Sequence, residues 1–233
     1  MAKSSKGDKD LISDALATVV ETIGGTPREG QIQMAKAVEL AMESNEHLLV
    51  QAGTGTGKSL GYLVPAIMRA GKGVKPDGTN RSVIATATLA LQRQLVEHDL
   101  PAAVAALAEK TENVVSFAVL KGRHNYICLD KFNRTDVDSA DDGEQELFQT
   151  STSALAKQAK KLRQWVDVTS TGDRDDYEHE LDSRLWRSMS VSGRECVGAS
   201  KCAWGEDCFA ENARATAHAS DIVVTNHALL AID

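Results

Sequence analysis

Aromatic residues make up only 4% of the 233 residues, and proline and cysteine number four each. Four cysteines in a chain of this length are too few for a disulfide-stapled scaffold, and in a reducing compartment such a set more often binds metal. No stretch approaches the roughly 18 consecutive apolar residues of a membrane-spanning helix. The first ten residues, MAKSSKGDKD, are basic but lead into neither an apolar core nor a small-residue cleavage site, so a secretory signal is not expected. A net charge of -7 excludes a generally basic coat for nucleic acid, though not a local basic groove. What is present is ordinary: 42% hydrophobic and 25% charged residues exclude wholesale disorder, collagen and coiled coil. The length suits one α/β domain, or one domain with a sizeable insertion.

The charge is unevenly placed. Residues 129–195 hold 15 Asp/Glu against 10 Lys/Arg, so most of the negative balance lies in this Ser/Thr/Asp-rich stretch. It separates two segments with clean α/β patterning and therefore reads as an insertion. Before it, Leu11, Ile12, Ala15, Leu16, Val19, Val20 and Ile23 form one helical face, stopped by Gly24-Gly25. Thr26-Pro27-Arg28-Glu29 predicts a capped helix start, running to about Glu43. A strand is expected over His47–Ala52, a helix from Gly57 to about Ala70 with a kink at Pro65, and a Gly/Pro/Asp loop to Asn80. A buried strand Ser82–Thr86, helices Leu89–Glu97 and Ala102–Lys110, and strands Val114–Leu120 and Asp221–Thr225 complete the pattern. Within the insertion, Leu155, Ala159, Leu162 and Val166 mark a helix. Strands alternating with helices imply a parallel sheet covered on both faces.

Ala52-Gly53-Thr54-Gly55-Thr56-Gly57-Lys58-Ser59 is a Walker A loop between an expected strand and an expected helix, the context this motif requires. Its glycines let successive backbone N–H groups turn toward phosphate oxygens, and the helix adds its positive N-terminal end. Lys58 would reach the β- and γ-phosphates, and the Ser59 hydroxyl would ligate Mg²⁺. The first position is Ala52 rather than glycine, a departure from the strict pattern. Upstream, Arg28 and Gln31 share the capped helix. A glutamine amide matches the N6/N7 edge of adenine, which would favour ATP, but the same residue also suits a solvated helix face.

Cys128, Cys196, Cys202 and Cys208 are separated by 67, five and five residues. No tight C-x2-C knuckle is present, and four thiolates suit either Zn²⁺ or an iron–sulfur cluster. His124 precedes Cys128 as a possible substitute ligand, although four cysteines already fill a site. Lys121, Arg123, Arg194 and Lys201 flank the cysteines; they can contact phosphates or neutralise thiolates. Tyr126 and Trp204 can stack on unpaired bases or pack beside the cysteines, whereas Trp165 and Trp186 read as core of the insertion. Thr88 and Gln92, at the expected start of a helix, suit a phosphate.

Thr26–Gln31 before the Walker A loop looks like the start of a superfamily 2 helicase. Thr86-Ala87-Thr88-Leu89-Ala90-Leu91-Gln92-Arg93-Gln94-Leu95 is similar to that superfamily's motif Ia. Lys121-Gly122-Arg123-His124-Asn125-Tyr126-Ile127-Cys128 and Asp221–Leu230 narrow the resemblance to the iron–sulfur DNA helicases of the DinG/XPD group, with the bacterial DinG branch nearest. The match covers nearly the whole chain in the right order; only the Walker A piece is common among unrelated proteins. It implies a RecA-like P-loop NTPase domain, α/β with a parallel sheet, interrupted by a mainly helical cysteine-rich insertion. The implied boundaries are 1–120 and 211–233 for the ATP-binding domain and 121–210 for the insertion. It also implies a [4Fe–4S] cluster on the four cysteines, with Zn²⁺ as the alternative metal, and DNA contacts at Thr88, Gln92 and Arg123.

Helicases of this group hydrolyse ATP with a D-E-A-H segment and arginines from a second motor domain. No Asp-Glu-x-His string occurs in the sequence. The chain is therefore expected to be the front part of a larger enzyme, truncated before that segment, which binds ATP and Mg²⁺ without turning ATP over. The full enzyme would be an ATP-dependent DNA helicase of 5′→3′ polarity, acting in repair on single-stranded and on forked or gapped DNA. It is expected to be a cytoplasmic monomer with no membrane partner. The competing class is a non-enzymatic module: a nucleotide-binding, metal-stabilised domain that binds DNA or senses redox state.

Overall fold

A computed structural model describes residues 10–53, 55–72, 81–134 and 149–231. The chain divides into two compact units, one of residues 1–119 with 219–233 and one of residues 120–218.

In the first unit, α1 (Leu11–Thr22) buries Ile12, Ala15, Leu16, Val19 and Val20, the spacing of one helical face. Asp10 caps it by accepting from the Ser13 N–H at 3.2 Å, and Gly24, at φ 78°, turns the chain out of the helix. α2 (Glu29–Ser44) begins later than the Thr26 capping signal predicts. Arg28 holds the cap position in extended backbone without a side-chain cap bond, and Asn45 closes the helix in the left-handed region at φ 57°. α3 (Lys58–Gly71) passes through Pro65 and buries Leu60, Leu63, Val64 and Ile67.

β1 (Ser82–Thr86), β2 (Phe117–Val119) and β3 (Ile222–Asn226) form a parallel sheet in the order β1-β3-β2, with Ser82 and Phe117 both in register with Ile222. Its central strand buries Ile222, Val223, Val224 and Thr225. At its start Asp221 accepts from both the N–H and the hydroxyl of Ser116, at 2.8 and 2.7 Å. Joined to α1, α3 and the helices that follow β1, this sheet makes one apolar core.

Three expectations need correction. His47–Ala52 forms no strand: Leu48, Leu49 and Val50 are 44%, 99% and 40% exposed. A strand needs a hydrogen-bonding neighbour, and a groove of about 570 Å³ is lined by Leu48 and Val50 together with Ser82 and Val83 of β1. The strand expected over Val114–Leu120 shortens to β2, with Val114 94% exposed. The two helices expected after β1 are one continuous run: α4 (Leu89–Gln94), a π-turn at Leu95–Asp99, and α5 (Leu100–Leu107). Pro101 has no N–H to donate and its ring crowds the carbonyl four residues back; the wider π-turn lets the run continue through it. Residues 73–80 of the expected loop lie outside the described residues.

The second unit contains α6 (Leu129–Arg134), α7 (Gln149–Val166), α8 (Ser183–Met189) and most of α9 (Phe209–Ala219). Ile127, Phe132, Leu162, Val166, Tyr177, Trp186 and Met189 form its separate core, with Trp165 packed against it. The first unit closes with the short α10 (His227–Leu230), capped by Asn226. Among the described residues, no helix is long and apolar enough to cross a membrane.

Candidate nucleotide site and cysteine hollow

The glycine-rich loop ends where α3 begins. Gly55 and Gly57 stand at φ 74° and 76°, conformations that L side chains rarely adopt, and this is why glycine occupies both positions. Gly57 is the cap residue of α3, whose first turn carries no acidic side chain. The N–H groups of that turn have no intrahelical acceptor and are available to an anion. Ser59 lies in the same turn. The Lys58 ammonium folds back over the loop and donates to the carbonyls of Gly53 at 2.6 Å and Ala52 at 3.3 Å. The Thr56 hydroxyl donates to the Gly53 carbonyl at 2.9 Å, tightening the same turn. Thr54 lies outside the described residues.

α2 braces this loop. Gln31 is 6% exposed and donates its amide to the Gly57 carbonyl at 3.0 Å, while the Arg28 guanidinium donates to the Gly55 carbonyl. The structure thus gathers Arg28, Gln31, Gly53, Gly55, Thr56, Gly57, Lys58 and Ser59 in one place.

The residues weighed as DNA contacts are not gathered in this way. Thr88 is exposed and caps α4, its hydroxyl accepting from the Leu91 N–H at 3.3 Å. Gln92 lies beneath the surface at 1% exposure, its amide 3.5 Å from the Val224 carbonyl and its Oε1 without a partner. Arg123 is partly buried, which works against its charge, but its pairing with Glu211 outweighs this and raises its pKa. Lys121 is 8% exposed and bonded to Asp173 at 2.6 Å and Asp175 at 2.7 Å. Tyr126 is buried as well, which pushes its pKa up to about 12. Arg194 and Lys201 are exposed.

Within the second unit, Cys128, Cys196, Cys202 and Cys208 line one hollow of about 30 Å³. Its other walls include Ile127, Leu129, Val191, Trp204 and Ala210, together with Arg123 and Glu211. All four thiols are free and partly buried, and burial pushes the Cys128 thiol up. His124 is exposed and is not part of this lining. Among the described residues, no three His, Cys, Asp or Glu side chains converge closely enough to hold one metal ion.

Sequence reasoning missed the Lys121–Asp173–Asp175 cluster and the Arg123–Glu211 pair. Their partners are 54 and 88 residues apart along the chain, so no local pattern announces them. It also missed that Gln31 is part of the floor of the loop.

The family model for the DEAD/DEAH box helicase matches residues 30–177. The chain is 49% identical over 226 residues to the ATP-dependent helicase DinG of Mycobacterium tuberculosis, covering 95% of this chain and 33% of that protein. It is 39% identical to the ATP-dependent DNA helicase YoaA of Escherichia coli, over 90% of this chain and 30% of the relative. For the ATP-dependent DNA helicase DinG of the same organism the identity is 32%, over 88% and 28%. The chain therefore spans about a third of the length of these relatives. With the Walker A loop formed at the start of α3 and the family model covering more than half of its residues, the chain belongs to the DEAD/DEAH box helicase family.

Proposed function

We propose that this chain is the ATP-gripping front part of a DNA helicase that couples ATP hydrolysis to 5′→3′ movement on single-stranded DNA and to unwinding of forked or gapped duplexes in repair. The observation that carries this reading is the loop at Gly53–Ser59, braced by Arg28 and Gln31 at the uncapped start of α3. On ATP binding, phosphate oxygens replace the Ala52 and Gly53 carbonyls as acceptors of Lys58, and the free N–H groups of the first turn hold the same oxygens. Ser59 supplies a hydroxyl to Mg²⁺. Gln31 and Arg28 set the loop's shape and address the nucleotide from α2. The share of the reaction carried by these residues is grip, since no Asp-Glu-x-His string is present to position water. Of the three residues weighed as DNA contacts, the role falls to Thr88, because Gln92 is buried and Arg123 is held by Glu211. The whole enzyme acts in the cytoplasm as a monomer.

The same reading places a [4Fe–4S] cluster in the hollow of the second unit. Four thiols on largely apolar walls suit a soft metal group. A single Zn²⁺ would draw its sulfurs to roughly 3.8 Å from one another, given bonds of about 2.3 Å in a tetrahedron. Zn²⁺ on the same four thiols is the competing reading, and metal analysis separates the two. Such a group would cross-link Cys128 to the segment carrying Cys196, Cys202 and Cys208.

Titration of the chain with a fluorescent ATP analogue and Mg²⁺ tests the nucleotide reading. Lys58→Ala is expected to weaken binding about tenfold or more, the loss of charge-assisted bonds to phosphate. Unchanged affinity in that variant would overturn it.

A further inference from the structure

A lysine is almost never buried unless it is paired, because its ammonium loses water that only close carboxylates can replace. Lys121 meets that condition at 8% exposure, through Asp173 at 5% and the half-buried Asp175. Asp173 also accepts from the Asp175 N–H at 3.0 Å, so the two carboxylates and the lysine fix one tight turn. That turn touches both ends of the cysteine set. Tyr126 bridges Asp173 in antiparallel fashion and the Ile127 N–H donates to the Gly172 carbonyl at 2.9 Å, so the turn holds the two residues that lead into Cys128, whose own N–H donates to the Met189 carbonyl of α8 at 2.9 Å. Gly172, at φ 58°, lies so close under the Phe209 ring that an added Cβ would sit 2.3 Å from it, and Phe209 follows Cys208 directly.

Cys196 and Cys202 are placed differently. Residues 192–205 contribute nothing to the unit's apolar core among the described residues. Their bonds are short-range turns, such as the Ser192 N–H to Glu195 at 2.8 Å and the Cys202 N–H to the Gly198 carbonyl at 3.1 Å. A longer link among the described residues is the partly exposed Lys131–Glu195 pair at 3.6 Å.

We propose that Lys121, Asp173 and Asp175 are positioning residues that hold Cys128 and Cys208 in place without metal, leaving Cys196 and Cys202 on a segment that sets only when metal binds. The proposal rests on the reading of the hollow as a metal site, and its test separates the two. In metal-free chain, the alkylation rate of each cysteine by N-ethylmaleimide is followed by mass spectrometry. Lys121→Met leaves buried carboxylates uncompensated and is expected to speed labelling of Cys128 and Cys208 about tenfold, with Cys196 and Cys202 changed by less than about twofold. Asp175→Asn, which keeps the Lys121–Asp173 pair and so keeps the fold, is expected to give the same pattern more weakly. Lys121→Met/Asp173→Asn removes both buried charges and is expected to slow Cys128 labelling back toward the parent rate. Equal acceleration of all four thiols, or no change in either single variant, overturns the proposal. Iron uptake by the parent chain is measured separately; its failure overturns the cluster while the labelling comparison, which needs no metal, still decides the positioning role.

Discussion

Gly57 carries two constraints at once. Its φ of 76° disfavours any side chain, and a Cβ there would lie 2.2 Å from the Gln31 amide nitrogen. Gly57→Ala is therefore expected to cost about 1–3 kcal/mol in chemical denaturation and to abolish most ATP-analogue binding, since the loop reshapes. Adding Gln31→Ala removes the clash but not the strained backbone, so the double variant should recover stability in part and binding little. A double variant that binds like the parent would show that Gln31 alone decides the geometry. Gln92 shows the opposite side of the residue scale: a polar side chain in a segment that resembles a DNA-contacting motif, yet buried with one oxygen unpartnered. Chain position placed it near the surface; the packing of α4 on β3 took it inward.

Among the elements, α1 shows how a cap and an ion pair combine. Asp10 accepts from Ser13 at the start of the helix and pairs with Lys36 of α2. The Lys36 hydrogen bond is the main cause holding the Asp10 carboxyl below its usual range, with Ser13 assisting. A lowered folded pKa gives stability that is present above the ordinary value of 3.8 and lost as pH falls through the lower folded value. Asp10→Ala is expected to cost about 1 kcal/mol at neutral pH. The difference from the parent should shrink when denaturation is repeated below pH 3.8, and should shrink in high salt for the exposed ion-pair part. A difference that does not change with pH would remove the carboxylate from the account. The run from α4 to α5 was legible as helix but not as one helix: Pro101 signals a break, and only the π-turn before it shows how the break is avoided. The apolar segment before the Walker A loop was legible as a strand and is not one, because β1 does not reach it.

At the scale of the molecule, two units with separate apolar cores should respond separately to metal. Anaerobically prepared chain is expected to be brown, to hold iron and acid-labile sulfide, and to bleach with reductant. Removing the iron should loosen the chain around the exposed Arg194 and Lys201, which flank Cys196 and Cys202, and so speed trypsin cleavage there, while the melting of the first unit stays unchanged. Colourless protein with stoichiometric zinc would sink the cluster assignment.

The sequence by itself determined the nucleotide loop, the parallel α/β pattern and the set of four cysteines. These depend on local physics: glycine's access to positive φ, a helix start within a few residues, and the periodicity of apolar side chains. Only the tertiary structure decided which distant groups meet. Gln31 became part of the floor of the loop, Arg123 was claimed by Glu211, and Lys121 was drawn into a buried pair with Asp173. A buried charge or amide goes wherever a partner can replace its lost water, and that partner is set by packing rather than by neighbours along the chain.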